Sequence, residues 1–398
     1  MTTVTARTSA YRQVLTMPGA VPFSVAGLLG RLPIAMIGLG IVILVSSSTG
    51  SYSVAGTVSA TYVATNAVLA VPLARLVDRH GQGRVLGLAA TVSAVGLAAL
   101  MVAVEQGWPS PWRYLFAGVA GACLPNVGAA VRARWSYALH DRKLLDTAFA
   151  VEAVNDELVF IIGPTVTTLL ASAVHPMAGL AAAGTASVGG TWWLVAQRRT
   201  EPPRRVAEAS THHTARMPWA GLTPLVAGAV MLGVLFGGSE VATIAFADEA
   251  GSPATAGVLL AVWALGSLIS GVVSGSMVFR RTPASRYRVG ILALALLMAP
   301  LTFVDHLAVL GGFLFLAGFA ISPTMIAAVS WVEAIVPADR LNEGMTIFST
   351  GLVAGVAPGA AIVGAVVDRA SASAAYVVPA AAGALGALVA FLTSDRLK

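Results

Sequence analysis

Residues 198–218, RRTEPPRRVAEASTHHTARMP, form the only extended polar stretch of this chain. Its prolines, arginines and paired histidines (His212, His213) suit a solvated connector. What flanks it decides the fold. Upstream, apolar runs occupy 22–46, 54–77, 85–104, 112–131, 147–171 and 176–196. Downstream they occupy 222–246, 254–279, 289–304, 307–335, 344–367 and 374–393. Each is close to the about 20 residues that an α-helix needs to cross a hydrocarbon core about 30 Å thick. The sequence therefore predicts an all-α membrane protein of twelve transmembrane helices, with a first six-helix bundle over 1–197, a linker over 198–217 and a second six-helix bundle over 218–398.

Composition supports this count. Of 398 residues, 57% are hydrophobic and only 42 are charged, and the mean hydropathy is +0.81. A soluble domain of this length would carry about a quarter charged residues, or about 100, so a water-soluble enzyme is excluded. The formal charge of +6 would suggest nucleic acid in a soluble protein, but its distribution points to a membrane instead. With the N-terminus in the cytoplasm, 21 of the 24 Lys and Arg fall on inside segments, two (Arg113 and Arg369) fall outside, and Arg31 lies within the first span. That asymmetry follows the positive-inside rule and predicts a multi-pass protein of the inner (plasma) membrane with both termini cytoplasmic. Arg7 and Arg12 before the first run could mimic a secretion signal; with nothing soluble following, we read a first span and no cleaved peptide.

The lone cysteine, Cys123, sits in an apolar run and is expected to be a buried packing residue. The six histidines fall in loops or at span ends and no HExxH occurs. No metal site, cofactor or catalytic centre is expected, and no nucleic-acid partner. Trp112, Trp192, Trp193, Trp219 and Trp331 fall near span ends, where interfacial belts place tryptophan.

The halves repeat weakly in the same direction. AGTVSATYVATNAV from Ala55 matches AGVLLAVWALGSLI from Ala256, GACLP ending at Pro125 matches GFAISP ending at Pro323, and Asp141-Arg142 matches Asp339-Arg340. Such a repeat predicts two bundles in parallel, with a path between them.

Between spans 2 and 3 stands Ala74-Arg75-Leu76-Val77-Asp78-Arg79-His80-Gly81-Gln82-Gly83-Arg84. It resembles the G-x-x-x-D-R-x-G-R-R loop of the major facilitator superfamily, with Ala74 for the first glycine and Gln82-Gly83 interrupting the final basic pair before Arg84. With the span count and the repeat, the resemblance covers nearly the whole chain and implies a secondary transporter in which two bundles rock about a central site. Asp78 at the inner surface is placed to dock on the positive N-terminal end of span 11, near Asn342 to Gly344, making Ala74, Asp78, Arg79, Gly81 and Arg84 a cytoplasmic gate; Arg79 and Arg84 would also meet anionic lipid headgroups. In span 5, Gly163-Pro164 resembles the glycine-proline element of antiporters in this superfamily, and proline there is expected to bend the helix.

Ionisable residues inside spans are costly and functional by default. Arg31 and the Asp156-Glu157 pair lie at similar depth, near the midplane by the 1.5 Å rise per residue. Glu152 is one turn before Asp156 on the same face, while Glu157 points about 100° away. We expect Arg31 to pair with Asp156 or Glu157 while another acid takes up and releases a proton; the alternative is a fixed network that orders the first bundle. Glu240, after Gly237-Gly238 where a helix can unwind, could face the cavity or the outer interface. Glu333, Asp339 and Glu343, and Asp141 and Asp146, are read as solvated or gating charges. Asn66, Asn126, Asn155 and Trp263 are cavity candidates. The expected activity is proton-coupled export of a small amphipathic or drug-like molecule by a monomer, with protons, substrate and membrane lipids as partners; the alternative is uptake or facilitated diffusion of a small polar solute.

Overall fold

In hydrocarbon every backbone N–H and C=O must find a partner inside the chain, and a helix does this within one segment. The computed structural model describes residues 10–203, 216–252, 255–277 and 279–392, and among them it contains helices and no strand. His212, His213 and most of the expected linker lie outside the described residues.

The first half runs α1 (Ala20–Thr49), α2 (Tyr52–His80), α3 (Gln82–Glu105), α4 (Ser110–Ala122), α5 (Val127–Ala138), α6 (Arg142–Ala173) and α7 (Ala178–Ala196). The second runs α8 (Trp219–Glu249), α9 (Thr255–Gly275), α10 (Pro283–Met298) with a 3-10 turn over Ala299–Phe303, α11 (Leu307–Ile335), α12 (Leu341–Val367), a short α13 (Ala372–Ala375) and α14 (Val377–Leu392). Eleven spans are long and apolar enough to cross a membrane, with α4 and α5 together making one of them. The twelfth, α7, is 19 residues of mostly Ala, Gly and Thr. It is about 28 Å long at the helical rise, so length suits it to span although its small side chains carry little hydropathy.

The fourth span departs from the expected continuous helix. It breaks at Cys123–Asn126, where Asn126 leaves helical geometry (φ −80, ψ 79) and its side chain accepts the N–H of Ala129, capping α5. Asn66 of α2 donates to the Gly121 and Leu124 carbonyls at the break, at 3.1 and 3.4 Å. The matching position of the second half is Thr324, which bonds back to its own helix at Ala320, and α11 passes Pro323 unbroken. A cap at one repeat and a back-bonded hydroxyl at the other account for the difference. Cys123, at this break, is half-buried.

Lipid tails are as apolar as the side chains, so helices associate through close packing. A Cβ on Gly359 of α12 would lie 2.7 Å from Val234 Cα of α8, and one on Gly237 would lie 3.0 Å from Val356 Cα. Gly237-Gly238 thus serves helix approach: α8 continues through both and does not unwind there. In the first half, a Cβ on Gly190 of α7 would sit 2.8 Å from Gly30 Cα of α1.

The helices gather into two bundles, α1–α7 and α8–α14, that meet mainly through α2 and α6 of the first and α9, α11 and α12 of the second. Trp112, Trp192, Trp193 and Trp219 are exposed, whereas Trp331 is buried against Tyr287 at 5.8 Å and belongs to the core.

Candidate functional site

A cavity of about 270 Å³ lies between the bundles. Its wall comes from α1, α2, α5 and α6 on one side and from α11 and α12 on the other. One pole is polar, with Arg31, Asn126, Arg132 and Asp156; the remainder is largely apolar, including Ile34, Val63, Phe160, Met325 and Phe348. Much of its lining is apolar, and charges at the polar pole need partners from the protein.

They find them in each other. Arg31, 1% exposed, bonds Glu152 Oε2 through Nη2 and donates from Nη1 to Asp156 Oδ1 at 2.7 Å and from Nε to Gly27 O at 3.0 Å. Arg132 Nη2 donates to Asp156 Oδ2 at 2.5 Å. Glu152 is wholly buried, and its Oε1 accepts from Ser24 Oγ at 2.7 Å and Trp135 Nε1 at 2.9 Å. Asn155 Nδ2 donates to Ser24 Oγ at 3.0 Å. Two guanidinium groups and two carboxylates therefore sum to zero charge, with Asp156 the member whose side chain is 35% exposed. Gly128 makes room: a Cβ there would stand 3.1 Å from Arg132 Nη1 and 3.2 Å from Arg31 Cδ.

Glu157 points to the other bundle. Its Oε1 accepts from Ser267 Oγ of α9 at 2.5 Å, and Ser267 is 3.0 Å from Ser322 Oγ of α11. No cation pairs with it among the described residues. Ser267 occupies the repeat position of Asn66, so the two polar side chains that serve the two halves differ in task. Glu240 is exposed on α8, makes no bond among the described residues and does not line the cavity. Trp263 packs edge-on to Phe236 at 5.9 Å and is also absent from the cavity wall. Asn155 supports the cluster from behind, while Asn66 and Asn126 do line the cavity. Gly163 lets α6 approach α1, since a Cβ would lie 2.8 Å from Ala35 Cβ; Pro164 sits within the same unbroken helix.

Arg132, Ser24, Trp135 and Ser267 escaped the sequence reading. Arg132 was counted among inside-loop charges because the fourth span was drawn to end at 131. A helix broken at 123 to 126 and resumed to 138 carries it into the cluster.

At one end the bundles are tied together. Asp78 accepts from Asn342 Nδ2 at 2.6 Å and from the Glu343 backbone N–H at 2.9 Å, at the first turn of α12. Glu343 is bonded by Arg75 Nε at 2.6 Å and by Arg340 Nη2 at 2.6 Å. Gly81 turns the chain with φ 89, a conformation glycine adopts without strain, and Ala74 is buried beneath it. Arg79 and Arg84 are exposed. Gln82 is buried and accepts from Arg134 Nε at 2.7 Å. A basic side chain at 82 would bring a second cation to buried Arg134, which gives a physical reason for the break in the basic run. The pseudo-symmetric junction holds Asp146, bonded by Arg286 Nη2 at 3.0 Å and Ser330 Oγ at 2.6 Å, and Arg142 with Glu333 at 2.6 Å. Asp146 and Glu343 are buried rather than solvated, because each closes an inter-bundle junction. The bonds that cross between bundles run from mid-depth, at Ser267–Glu157 and Asn126–Ser349, to this end.

Among the described residues no group of three or more His, Cys, Asp or Glu gathers as a metal site. No curated protein matches the chain by sequence. The structure is similar to that of a bacterial homologue of the iron transporter ferroportin in an outward-facing state, with TM-score 0.76, 15% identity, and 96% of this chain and 100% of that chain covered. It is also similar to the human organic anion transporter MFSD10 (TETRAN), with TM-score 0.72, 16% identity and coverage of 96% and 99%. A third neighbour is FucP in an outward conformation, with TM-score 0.69, 13% identity and coverage of 97% and 100%. At these identities the likeness is one of fold. The family model of the Major Facilitator Superfamily matches residues 23–311 and 246–398. With two helical bundles around a central cavity and that match over nearly its whole length, the chain belongs to the Major Facilitator Superfamily and is a membrane transporter.

Proposed function

We propose that the protein is a proton-coupled exporter of small amphipathic molecules, with Glu157 as the carboxyl that exchanges the proton. The observation that carries this reading is the bond between Glu157 and Ser267. It joins the two bundles at mid-depth beside the cavity, and its carboxyl has a neutral partner while Glu152 and Asp156 are both held by arginines. A proton arriving on Glu157 would change which side of that bond donates, and rocking of the bundles would break it. Arg31, Arg132, Glu152 and Asp156 form the fixed charge pair set of the first bundle; Glu240 stands apart from it. The cavity, polar at one pole and apolar elsewhere, suits a molecule with the same division. At about 270 Å³ it is just below the about 300–1,000 Å³ that ligand pockets span.

The positive-inside distribution supports a reading in which both termini and the linker at 198–217 are cytoplasmic; in this reading the protein acts as a monomer in the plasma membrane. Asp78, Arg75 and Glu343 then close the cytoplasmic gate. The Gly163-Pro164 pair itself is in keeping with export, as the resemblance to antiporters implies. In cells lacking their own efflux pumps, expression should raise resistance to some members of a panel of toxic amphipathic compounds. In inverted vesicles those compounds should release a preformed proton gradient, and Glu157→Gln should abolish this release while leaving compound exchange across the membrane. Gradient-driven transport that survives Glu157→Gln would end the reading. Energised accumulation of a polar solute by intact cells would favour uptake instead.

A further inference from the structure

The polar pole of the cavity holds more free donors than free acceptors. Both oxygens of Asp156 are engaged, Oδ1 by Arg31 and Oδ2 by Arg132. Both oxygens of Glu152 are engaged as well, and no part of that side chain reaches the cavity. Arg132 is different. Only its Nη2 is bonded; its Nε is buried without a hydrogen-bond partner, and its Nη1 donates to nothing among the described residues. Its side chain is 14% exposed and lines the cavity. Nε is buried out of a ligand's reach, which leaves the Nη1 amino group as the donor available to one; an unmatched N–H of a guanidinium gains most from an acceptor, and an ionised acceptor gives the strongest and shortest such bonds. A cation at this pole would meet carboxylate oxygens already taken by two guanidinium groups.

We infer that the transported molecule carries an anionic head, a carboxylate or similar oxyanion, that docks on the unpartnered Nη1 of Arg132 while its apolar body lies against Phe160, Met325 and Phe348. This inference rests on the proposal that the cavity binds an amphipathic substrate, and it adds the sign of the head group. The head shares Arg132 with Asp156, so the same guanidinium senses both substrate and charge cluster.

The test is equilibrium binding to the purified full-length protein in detergent, by calorimetry, with three probes of one size: naphthoate, naphthamide and naphthylmethylammonium. Naphthoate should bind at least about tenfold more tightly than either of the others, as a charge-assisted hydrogen bond provides. Arg132→Gln should remove that preference by weakening naphthoate far more than naphthamide, with thermal unfolding of the variant in detergent reporting that it is folded. Arg132→Lys keeps the charge without the planar fork and should retain part of the preference, so the inference stays testable if the glutamine variant does not fold. Equal or tighter binding of the ammonium probe, a carboxylate preference that persists in Arg132→Gln, or no binding of any probe at millimolar concentration would each overturn it. Because no gradient is present, the outcome is independent of whether Glu157 carries the proton. Binding that is indifferent to both Phe160→Ala and Phe348→Ala would place the probes outside the cavity and remove the substrate site along with the inference.

Discussion

Neutralising Glu152 should unbalance a cluster of deeply buried charges. Glu152 has no exposed surface and Arg31 is 1% exposed; with Arg132 and Asp156 they sum to zero. Glu152→Gln keeps an oxygen to accept from Ser24 and Trp135, so the change isolates charge from shape. It leaves one unit of positive charge in excess and turns a neutral amide toward Arg31 Nη2. Removing one partner of a buried ion pair costs about 3 to 5 kcal/mol, and because Arg31 keeps Asp156 the lower end applies: about 3 kcal/mol, or about a hundredfold in the folding equilibrium. The assay is reversible unfolding of detergent-solubilised protein by increasing SDS, followed by tryptophan fluorescence. Arg31→Met alone should be destabilising too, since it strands Glu152. The double variant Arg31→Met/Glu152→Gln restores neutrality and leaves the Arg132–Asp156 pair, so its cost should fall below the sum of the singles by about 2 kcal/mol. A Glu152→Gln protein within about 1 kcal/mol of the parent, or singles that simply add, would refute the idea that charge balance holds this cluster together.

Two further expectations follow from other parts of the structure. Asp78→Asn removes the anion from the first turn of α12 while sparing the shape of the contact; a loss of about 0.3 to 2 kcal/mol at the closed end is expected, and spin labels at the exposed positions 80 and 338 should show a new, longer distance, whereas an unchanged distribution would mean that Asp78 does not bias the gate. Gly359→Ala should cost about 1 to 3 kcal/mol by overpacking, because its Cβ would meet Val234 Cα at 2.7 Å and backbone cannot step aside as a side chain can; Gly364→Ala, one turn on and open within 4 Å, is the matched control, and equal stability of the two variants in thermal unfolding would contradict the packing argument.

Much of this molecule is written in one dimension. Apolar runs long enough to cross hydrocarbon, divided by the stretch at 198–218, dictate two sets of spans, because a lipid solvent leaves an apolar segment of that length no alternative to the helix. The Asp78 loop and the depth of Arg31 relative to Asp156 were also legible, since the helical rise converts sequence position to height. Height alone does not say which side chain meets which. The break at Cys123–Asn126 is supported by Asn66 of another helix, which donates to two of its carbonyls, and it is this break that delivers Arg132 to Asp156. The burial of Glu343 and Asp146 depends on which bundle faces them across the interface, and Glu157 has a partner only because α9 brings Ser267 alongside. Sequence fixes what must enter the membrane and how deep each charge lies; the rotation of each helix about its axis, and the partner across the interface, are set by packing among segments hundreds of residues apart, and only the tertiary structure contains them.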